Sequence, residues 1–543
     1  MDSLHEHTSV YDETTPVLIV GGSLVGLSLS IFLSWHGVSS LLVERHAGIS
    51  PHPRAFNFNM RTMEFFRSVG VEEAIRRQAP ADFQRSSIVR AENLAGRELH
   101  SITQDTTSSE ISPLSGCIIG QDALEPVLRA RAEELGGDLR FFTELVSFAQ
   151  ESEGVRAVIR DRASGTERTV RARYLVAADG NRSSIRQQLG TKTYGPGILG
   201  HQLSILFAAD VQAALRGRRL AVCFILNPSV RPGTSLVFAR NGQGFALFAP
   251  FYPDQGEREE DFAGERGIEM IRAAIGLPDL PIEILNVSSW SPAAWAAATF
   301  QQENIFLVGD AAHVMPPAGA FGANTGIADA YNLAWKLARA LQGQAGPALL
   351  PSYTVERQPV VRYTVEQSFA MFTRFNGVPT DKPTVPILDY DAIAFGYRYH
   401  SDVVLEDDKD DAWCEDPHHP SGRPGTRAPH VIVTRNNEQL STIDLLGRNF
   451  VLFVGAAGET WCRAAGDVAR RMDLPLDMYH IGERGDLVDR GRRFLDAYGV
   501  REDGAVLIRP DGFIGWRAKT ASPTPACALE QALSRLLGRL PQH

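Results

Sequence analysis

The stretch PVLIVGGSLVGLSLSIFLSWHGVSSLLVERH, residues 16–46, leaves this chain few ways to fold. An unbroken apolar run ends in paired glycines, an apolar helical segment follows, and a second apolar run closes on an acid. That order reads as strand, tight turn, helix, strand: the β-α-β unit of a dinucleotide-binding sheet. In Gly21-Gly22-Ser23-Leu24-Val25-Gly26 the pattern G-x-G-x-x-G holds except that Ser23 replaces the middle glycine. Gly21 makes the turn, and Gly26 lets helix approach strand. The small Ser23 beside Gly22 still leaves a pyrophosphate room at the orphan N–H groups of the helix N-terminus. Glu44, eighteen residues after Gly26, ends the second strand, where a carboxylate binds ribose hydroxyls and repels a 2′-phosphate. The ligand class is FAD or NAD rather than NADP. On this stretch alone, a glycine-rich turn of another α/β domain is the alternative.

Two further stretches narrow it. DGNRSSIR, beginning at Asp179, follows a strand and fits D-G-x-x-S-x-x-R with Ser183 and Arg186. GDAAHVMPPAGAFGANTGIADAYNLAWKLARAL, beginning at Gly309, also follows a strand. There Asp310 is placed to accept hydrogen bonds from polyol hydroxyls, and a loop of Pro, Gly and Ala lets backbone approach a flat ligand. The helix that follows carries an apolar stripe at Ile327, Ala330, Leu333, Ala334, Leu337, Ala338 and Leu341. Its N-terminus, expected near Asn324 to Gly326, aims a partial positive charge into the loop.

At 543 residues the chain is too long for one core, so two or three domains are expected. A net charge of −10 argues against nucleic acid or an anionic membrane as the main partner. The start is polar and acidic, without the pattern of an export signal, and no apolar run approaches the ~20 residues of a membrane span. Cys117, Cys223, Cys414, Cys462 and Cys527 are scattered and never spaced C-x-x-C, which disfavours disulfides and zinc and favours a reducing cytoplasmic setting.

The Gln121 segment GQDALEPVLRARAEELGG reads as a helix stopped by Gly136-Gly137. Alternating segments from about 195 to 290 suggest an antiparallel sheet. Breakers after about 375, the acidic run EDDKDD and the HHPSGRPGTRAPH stretch read as a linker before a separate C-terminal domain. The expected divisions are 1–190 and 286–400 for the two parts of a nucleotide-binding domain, 191–285 for a sheet domain, and 415–543 for the C-terminal domain.

The three motifs together resemble the single-component flavoprotein aromatic hydroxylases, whose type member is p-hydroxybenzoate hydroxylase, over roughly residues 16–375. The resemblance implies a Rossmann-like α/β FAD-binding domain with an antiparallel substrate-binding sheet. It implies that Gly21, Gly22, Ser23 and Gly26 hold the pyrophosphate of FAD and that Glu44, with Arg45 beside it, holds the adenosine ribose. Arg54 would lie near the phosphates and Gln121 near ribityl or adenosine oxygens. Asp310 would bind the ribityl chain, while Asp179 and Gly180 would touch both FAD and the route of the nicotinamide. The loop through Pro317 and Gly322 and the helix start at Asn324 and Thr325 would face the flavin. NADPH or NADH would reduce FAD, O₂ would be captured as a C4a-hydroperoxide, and its distal oxygen would pass to an electron-rich ring. The tail, with RAPHVIVTRNNEQLSTIDLLGRNFVLFVG and GAVLIRPDGFIGWR, is similar to that of aromatic polyketide hydroxylases such as aklavinone hydroxylase, in which it is a thioredoxin-like domain without redox function. Trp461-Cys462-Arg463-Ala464 lacks the second cysteine an active thioredoxin needs.

Rival chemistry is sparse. His313 has no second ligand at metal spacing, so a packed histidine is expected. His418 and His419 sit in the proline-rich linker and read as solvated. Trp290 and Trp295 line either the core or the ring pocket. Phe224 and Arg374 align with regions that shape the substrate site in the polyketide hydroxylases, although Arg374 reads equally as a solvated helix end. The expected enzyme hydroxylates a polycyclic phenol or quinone. Baeyer–Villiger, epoxidising or antibiotic-inactivating chemistry shares every motif, a noncatalytic flavin-binding scaffold is the remaining class, and monomer and homodimer stay open.

Overall fold

The computed structural model describes residues 11–48, 55–80, 86–103, 110–238, 245–376, 385–483 and 485–539. Strand Glu13–Val20 buries Val17, Leu18, Ile19 and Val20, a run apolar on both faces, and so takes the centre of a parallel sheet. Neighbours run in the order Ile305–Leu307, Glu167–Ala177, Glu13–Val20, Ser40–Glu44 and Asp138–Phe141, all parallel. Antiparallel strands Gly154–Asp161 and Thr143–Glu151 extend from Glu167–Ala177. Helix Leu24–Trp35 is apolar nearly all round, the pattern of a fully buried helix, and it packs against the helices Gln121–Glu134 and Phe321–Leu341.

A second, seven-stranded sheet contains the expected alternating segments, His201–Ala208, Leu220–Ile225, Ser235–Val237, Phe245–Phe251 and Glu283–Trp290. It also recruits Ser87–Ala91 and Glu98–Thr103 from far earlier in the chain, the former pairing parallel to Leu220–Ile225. No local pattern announces that pairing, because its partner lies more than a hundred residues away. One face of this sheet packs Leu203, Ile205, Phe207, Cys223 and Leu247 against the helix Glu265–Ile275. A three-stranded sheet, Thr193–Ile198, Ala293–Ala297 and His313–Val314, joins the two regions.

The breakers at 377–384 lie outside the described residues, but from Tyr397 on the segment expected to be a linker is packed instead. Tyr397, Arg398 and Tyr399 are buried. Within the acidic run Asp407 pairs with Arg517 at 2.6 Å, and Asp408 and Asp410 pair with Arg423. His419 is exposed, and His418 lies 3.4 Å from Asp391. A four-stranded sheet follows in the order Leu476–Ile481, Phe450–Gly455, Ala505–Ile508 and Ile514–Ala518, the first pair parallel and the others antiparallel. Helices Glu459–Met472 and Pro525–Leu536 cover one face, and the cluster they form includes Trp335 and Leu349 from the first region. Among the described residues no helix is long and apolar enough to cross a membrane.

Candidate functional site

Sheet register assembles the site. Leu307, Ala177, Val20 and Val43 stand in one row across four adjacent parallel strands, so their chains leave the sheet at one edge as Gly309, Asp179, Gly21 and Glu44. Carboxyl ends of parallel strands are where an α/β sheet binds its ligand.

The first turn is shaped by backbone contact. Gly21 has φ +112°, and a Cβ on it would overlap the Ala178 carbonyl; a Cβ on Gly26 would overlap the Gly21 carbonyl. Glu44 is fixed at the strand end by the N–H groups of Gly22 (2.7 Å) and His46 (2.8 Å), with Arg45 exposed beside it. Ser23 does more than stay small. Its hydroxyl donates to Glu125 Oε1 at 2.6 Å and accepts from Gln121 Nε2 at 3.0 Å, while the same Nε2 reaches Glu125 at 2.7 Å. Burial raises the Glu125 carboxyl against these bonds. Glu125 was not singled out from sequence; its helical spacing of four from Gln121 was the available signal.

At the second strand end Asp179 is mostly buried, its carboxyl raised by that burial, and its Oδ1 has no hydrogen-bond partner among the described residues. Gly180 follows at φ +83°. Ser183 caps the short helix Ser184–Gln188 by accepting from Arg186 N–H at 3.0 Å. The Arg186 guanidinium donates to the carbonyls of Ala311 and Asn181, both at 2.9 Å, and lies 4.3 Å over the Trp295 ring. Trp295 therefore supports the arginine that braces the third turn. Trp290 meets Phe248 edge to face on the seven-stranded sheet.

The third turn differs from its sequence reading in one respect. The helix begins at Phe321, one turn before the expected Asn324, because Gly319 (φ +82°) and Ala320 (φ +53°) complete the reversal earlier. Gly326 lies inside the helix, where a Cβ would come within 2.8 Å of Val25 and 2.9 Å of Gly309 Cα. Asn324 spans two segments: its Oδ1 accepts from Asn59 N–H (3.0 Å) and the Thr62 hydroxyl (2.6 Å), and its Nδ2 donates to the carbonyls of Asn57 (3.0 Å) and Ala320 (2.8 Å). With that side chain committed to protein and its N–H the first to be taken up inside the helix, residue 324 braces the helix start, and the N–H groups left over are those before it. No side chain caps the helix; Pro317 lies in the loop before it, while Gly322, expected in that loop, falls in the first turn of the helix. Asp310 is exposed at the start of this turn.

Beneath the loop lie charges the sequence reading did not find. Asp329 accepts from Gly309 N–H at 3.2 Å and His313 Nε2 at 2.7 Å through one oxygen, and from Arg357 Nε at 2.8 Å through the other. Arg357 also donates to the Thr325 carbonyl at 3.3 Å. The face opposite the apolar stripe is thus buried as well, with Asp329, Asn332 and Lys336 at most 1% exposed. His313 is packed, as expected. Among the described residues no group of three or more His, Cys, Asp or Glu is disposed to hold a metal.

Phe224 stands on the face of the seven-stranded sheet opposite the helix-covered core, in a cross-strand row of Arg90, Phe224, Ser235, Phe248 and Ser204. Arg374 is exposed in the last turn of the helix Ser352–Asn376. Arg54 lies outside the described residues.

Comparison with known proteins accords with this geometry. The family model for an FAD binding domain matches residues 14–368, and that for the C-terminal part of aromatic-ring hydroxylases matches residues 421–539. The chain is 45% identical over 541 residues to a 4-methyl-5-nitrocatechol 5-monooxygenase from a Burkholderia species, covering 97% of this chain and 98% of that one. It is 40% identical over 554 residues to the tetracenomycin A2 monooxygenase-dioxygenase of Streptomyces glaucescens, covering 97% of each. The crystal structure of a ternary complex of aklavinone-11 hydroxylase with FAD and aklavinone superposes with a TM-score of 0.90 at 37% identity, covering 97% of this chain and 99% of that one.

Proposed function

The chain belongs to the FAD-dependent aromatic-ring hydroxylases, and from that premise we propose that it uses NAD(P)H and O₂ to hydroxylate a polycyclic phenol or quinone of the polyketide type. The observation that carries the reading is the convergence of four parallel strand ends on one edge, with glycine turns open to a ligand and a helix N-terminus uncapped.

The residues fit FAD. Gly21 and Gly26 form a cradle that a Cβ would fill, and the buried Asp179 Oδ1 lacks a protein partner among the described residues. The backbone of Gly21, Gly22, Ser23 and Gly26 would hold the pyrophosphate, Glu44 the adenosine ribose and Asp310 the ribityl chain. When bound, FAD supplies passage of two electrons from NAD(P)H and activation of O₂, one atom of which enters the ring while the other leaves as water. The chain's own task is electrostatic and steric. The first N–H groups of the Phe321 helix would present fixed dipoles to negative charge on the reduced cofactor, at no reorganisation cost. The Arg90–Phe224–Ser235–Phe248–Ser204 row offers an apolar platform with an arginine and two hydroxyls, suited to seating a ring and excluding water.

The C-terminal unit is read as a thioredoxin-like fold serving a structural purpose. Its strand order supports the fold; all five cysteines of the chain are free, only Cys462 and Cys527 lie in this unit, and burial pushes the Cys462 thiol up, which supports the structural purpose. A cytoplasmic setting fits those free thiols.

A second reading is favoured by the relative from Burkholderia, which is named for a substrate with a single nitrated catechol ring. One assay decides between them. The FAD-loaded protein is given NADH or NADPH with polycyclic phenols in one arm and nitrocatechols in the other, and product mass and released peroxide are measured together. Oxygen gain by a polycyclic phenol is the expected result. Gain by the nitrocatechols alone establishes the second reading, and conversion of all reductant to peroxide in both arms overturns the two together.

A further inference from the structure

The C-terminal unit reaches into the nucleotide-binding region by the tip of one hairpin. Strands Ala505–Ile508 and Ile514–Ala518 are joined through Arg509, Pro510, Asp511, Gly512 and Phe513, and Arg509 and Asp511 are 0% and 2% exposed where such a tip ordinarily meets water. Arg509 donates through both Nη atoms to the two oxygens of Glu356, at 2.6 and 2.8 Å. Asp511 Oδ2 accepts from Asn332 at 3.0 Å and Trp335 Nε1 at 3.2 Å. Glu356 also takes Lys336 Nζ at 2.7 Å and the Ser401 hydroxyl at 2.8 Å.

The next residue along the helix is Arg357, which grips Asp329, and Asp329 holds Gly309 N–H and His313. Tyr399 joins the two ends a second time. Its hydroxyl accepts from Arg357 at 3.2 Å while its ring stacks on Phe513 with centroids 4.1 Å apart. A buried path thus leads from the hairpin tip to the first N–H of the Gly309 loop.

Stability alone is a poor reason for this arrangement. Arg509, Lys336 and Arg357 balance Glu356, Asp511 and Asp329 at 2% exposure or less, and well-packed apolar residues commonly replace such buried ions without loss. What ions and bidentate hydrogen bonds add is direction. We infer that Arg509 is a positioning residue: through Glu356, Arg357 and Asp329 the C-terminal hairpin sets the Gly309–His313 loop and the start of the Phe321 helix in their FAD-binding arrangement. This rests on the reading that FAD occupies that loop. By reciprocity, FAD bound there tightens the hairpin by the same factor.

The test uses the full chain stripped of FAD. The charge-neutral double variant Arg509→Met/Asp511→Asn releases Glu356 to Lys336 and leaves no unpaired ion, while Arg509→Lys retains the charge without the two-pronged grip. FAD titration followed by flavin fluorescence is expected to show about tenfold weaker binding for the double variant, with Arg509→Lys in between. Hydrogen exchange of the 505–518 peptide is expected to slow when FAD is added to the wild-type chain and to be indifferent to FAD in the double variant. A merely structural role would leave that FAD dependence unmoved. The inference is overturned if the folded double variant binds FAD within about twofold of wild type, or if FAD leaves wild-type exchange at 505–518 unchanged. Should the double variant fail to fold, the wild-type exchange experiment decides alone. A wild-type chain that binds no FAD overturns the parent reading, and the titration tells that outcome apart.

Discussion

The turns at Gly21 and at Gly309 meet at the same sheet edge but are held by opposite means. At Gly21–Gly26 the contact is backbone on backbone, where the missing Cβ atoms are what allow the approach, with a polar trio of Ser23, Gln121 and Glu125 alongside. At Gly309–Gly326 close packing is joined by buried charge: Asp329 ties the loop to Arg357 on another helix, with His313 on the same carboxylate oxygen as Gly309 N–H. A turn closed by packing needs only small residues at the right spacing. A turn closed by charge depends on elements distant in the chain, and it inherits their dependence on pH.

Breaking each turn in its own way should separate the two. Asp329→Ala leaves the Arg357 guanidinium buried and uncompensated, so denaturant unfolding should show a loss of about 3–5 kcal/mol. A loss below about 1 kcal/mol would remove charge from the account of the second turn. Gly26→Ala forces a Cβ onto the Gly21 carbonyl, and a loss of about 1–3 kcal/mol is expected together with loss of bound-flavin absorbance after gel filtration. Full retention of flavin would show that the first turn yields more readily than its geometry implies.

The pH dependence sharpens the contrast. Burial would raise the carboxyl of Asp329, but Arg357 and His313 overcome it and hold it below the ordinary range. A depressed folded value means the unfolded chain binds more protons as pH falls, so this stabilisation is complete above the unfolded carboxyl value of about 4 and is lost below it. The penalty of Asp329→Ala, measured by urea titration from neutral to acid pH, should therefore shrink below about pH 4 while that of Gly26→Ala stays level. Parallel curves would contradict the charge account. The smallest effect is expected from Ser23→Gly, which restores the standard glycine but removes a donor from buried Glu125, at about 1 kcal/mol in thermal or denaturant unfolding. A gain in stability would mean the serine is only a spacer.

The contrast also governs what the sequence discloses. The strand–turn–helix at residues 16–46, the D-G turn at Asp179 and the G-D turn at Gly309 each rest on neighbours within a few residues, and pattern alone exposes them. Asn324 was legible as a helix-start residue but not as the tie to Asn57, Asn59 and Thr62, because those partners lie more than two hundred and fifty residues away. The buried pairings of Asp329 and Lys336 are not legible beside the apolar stripe, since periodicity records which residues are polar and not what covers them. The acidic run EDDKDD looked like a spacer for the same reason: its arginine partners, Arg398, Arg423 and Arg517, lie outside the run on either side of it.

Trp335 and Leu349 lie under strands and helices that leave the ribosome after them, with the Lys336–Glu356 pair close by. For the whole interval of synthesis between them, the earlier helices present an aromatic and an ionised surface with no lid. Chaperone demand should accordingly concentrate in that window, and premature termination before Arg509 yields a product that keeps the Glu356–Lys336 pair but lacks the arginine that completes it.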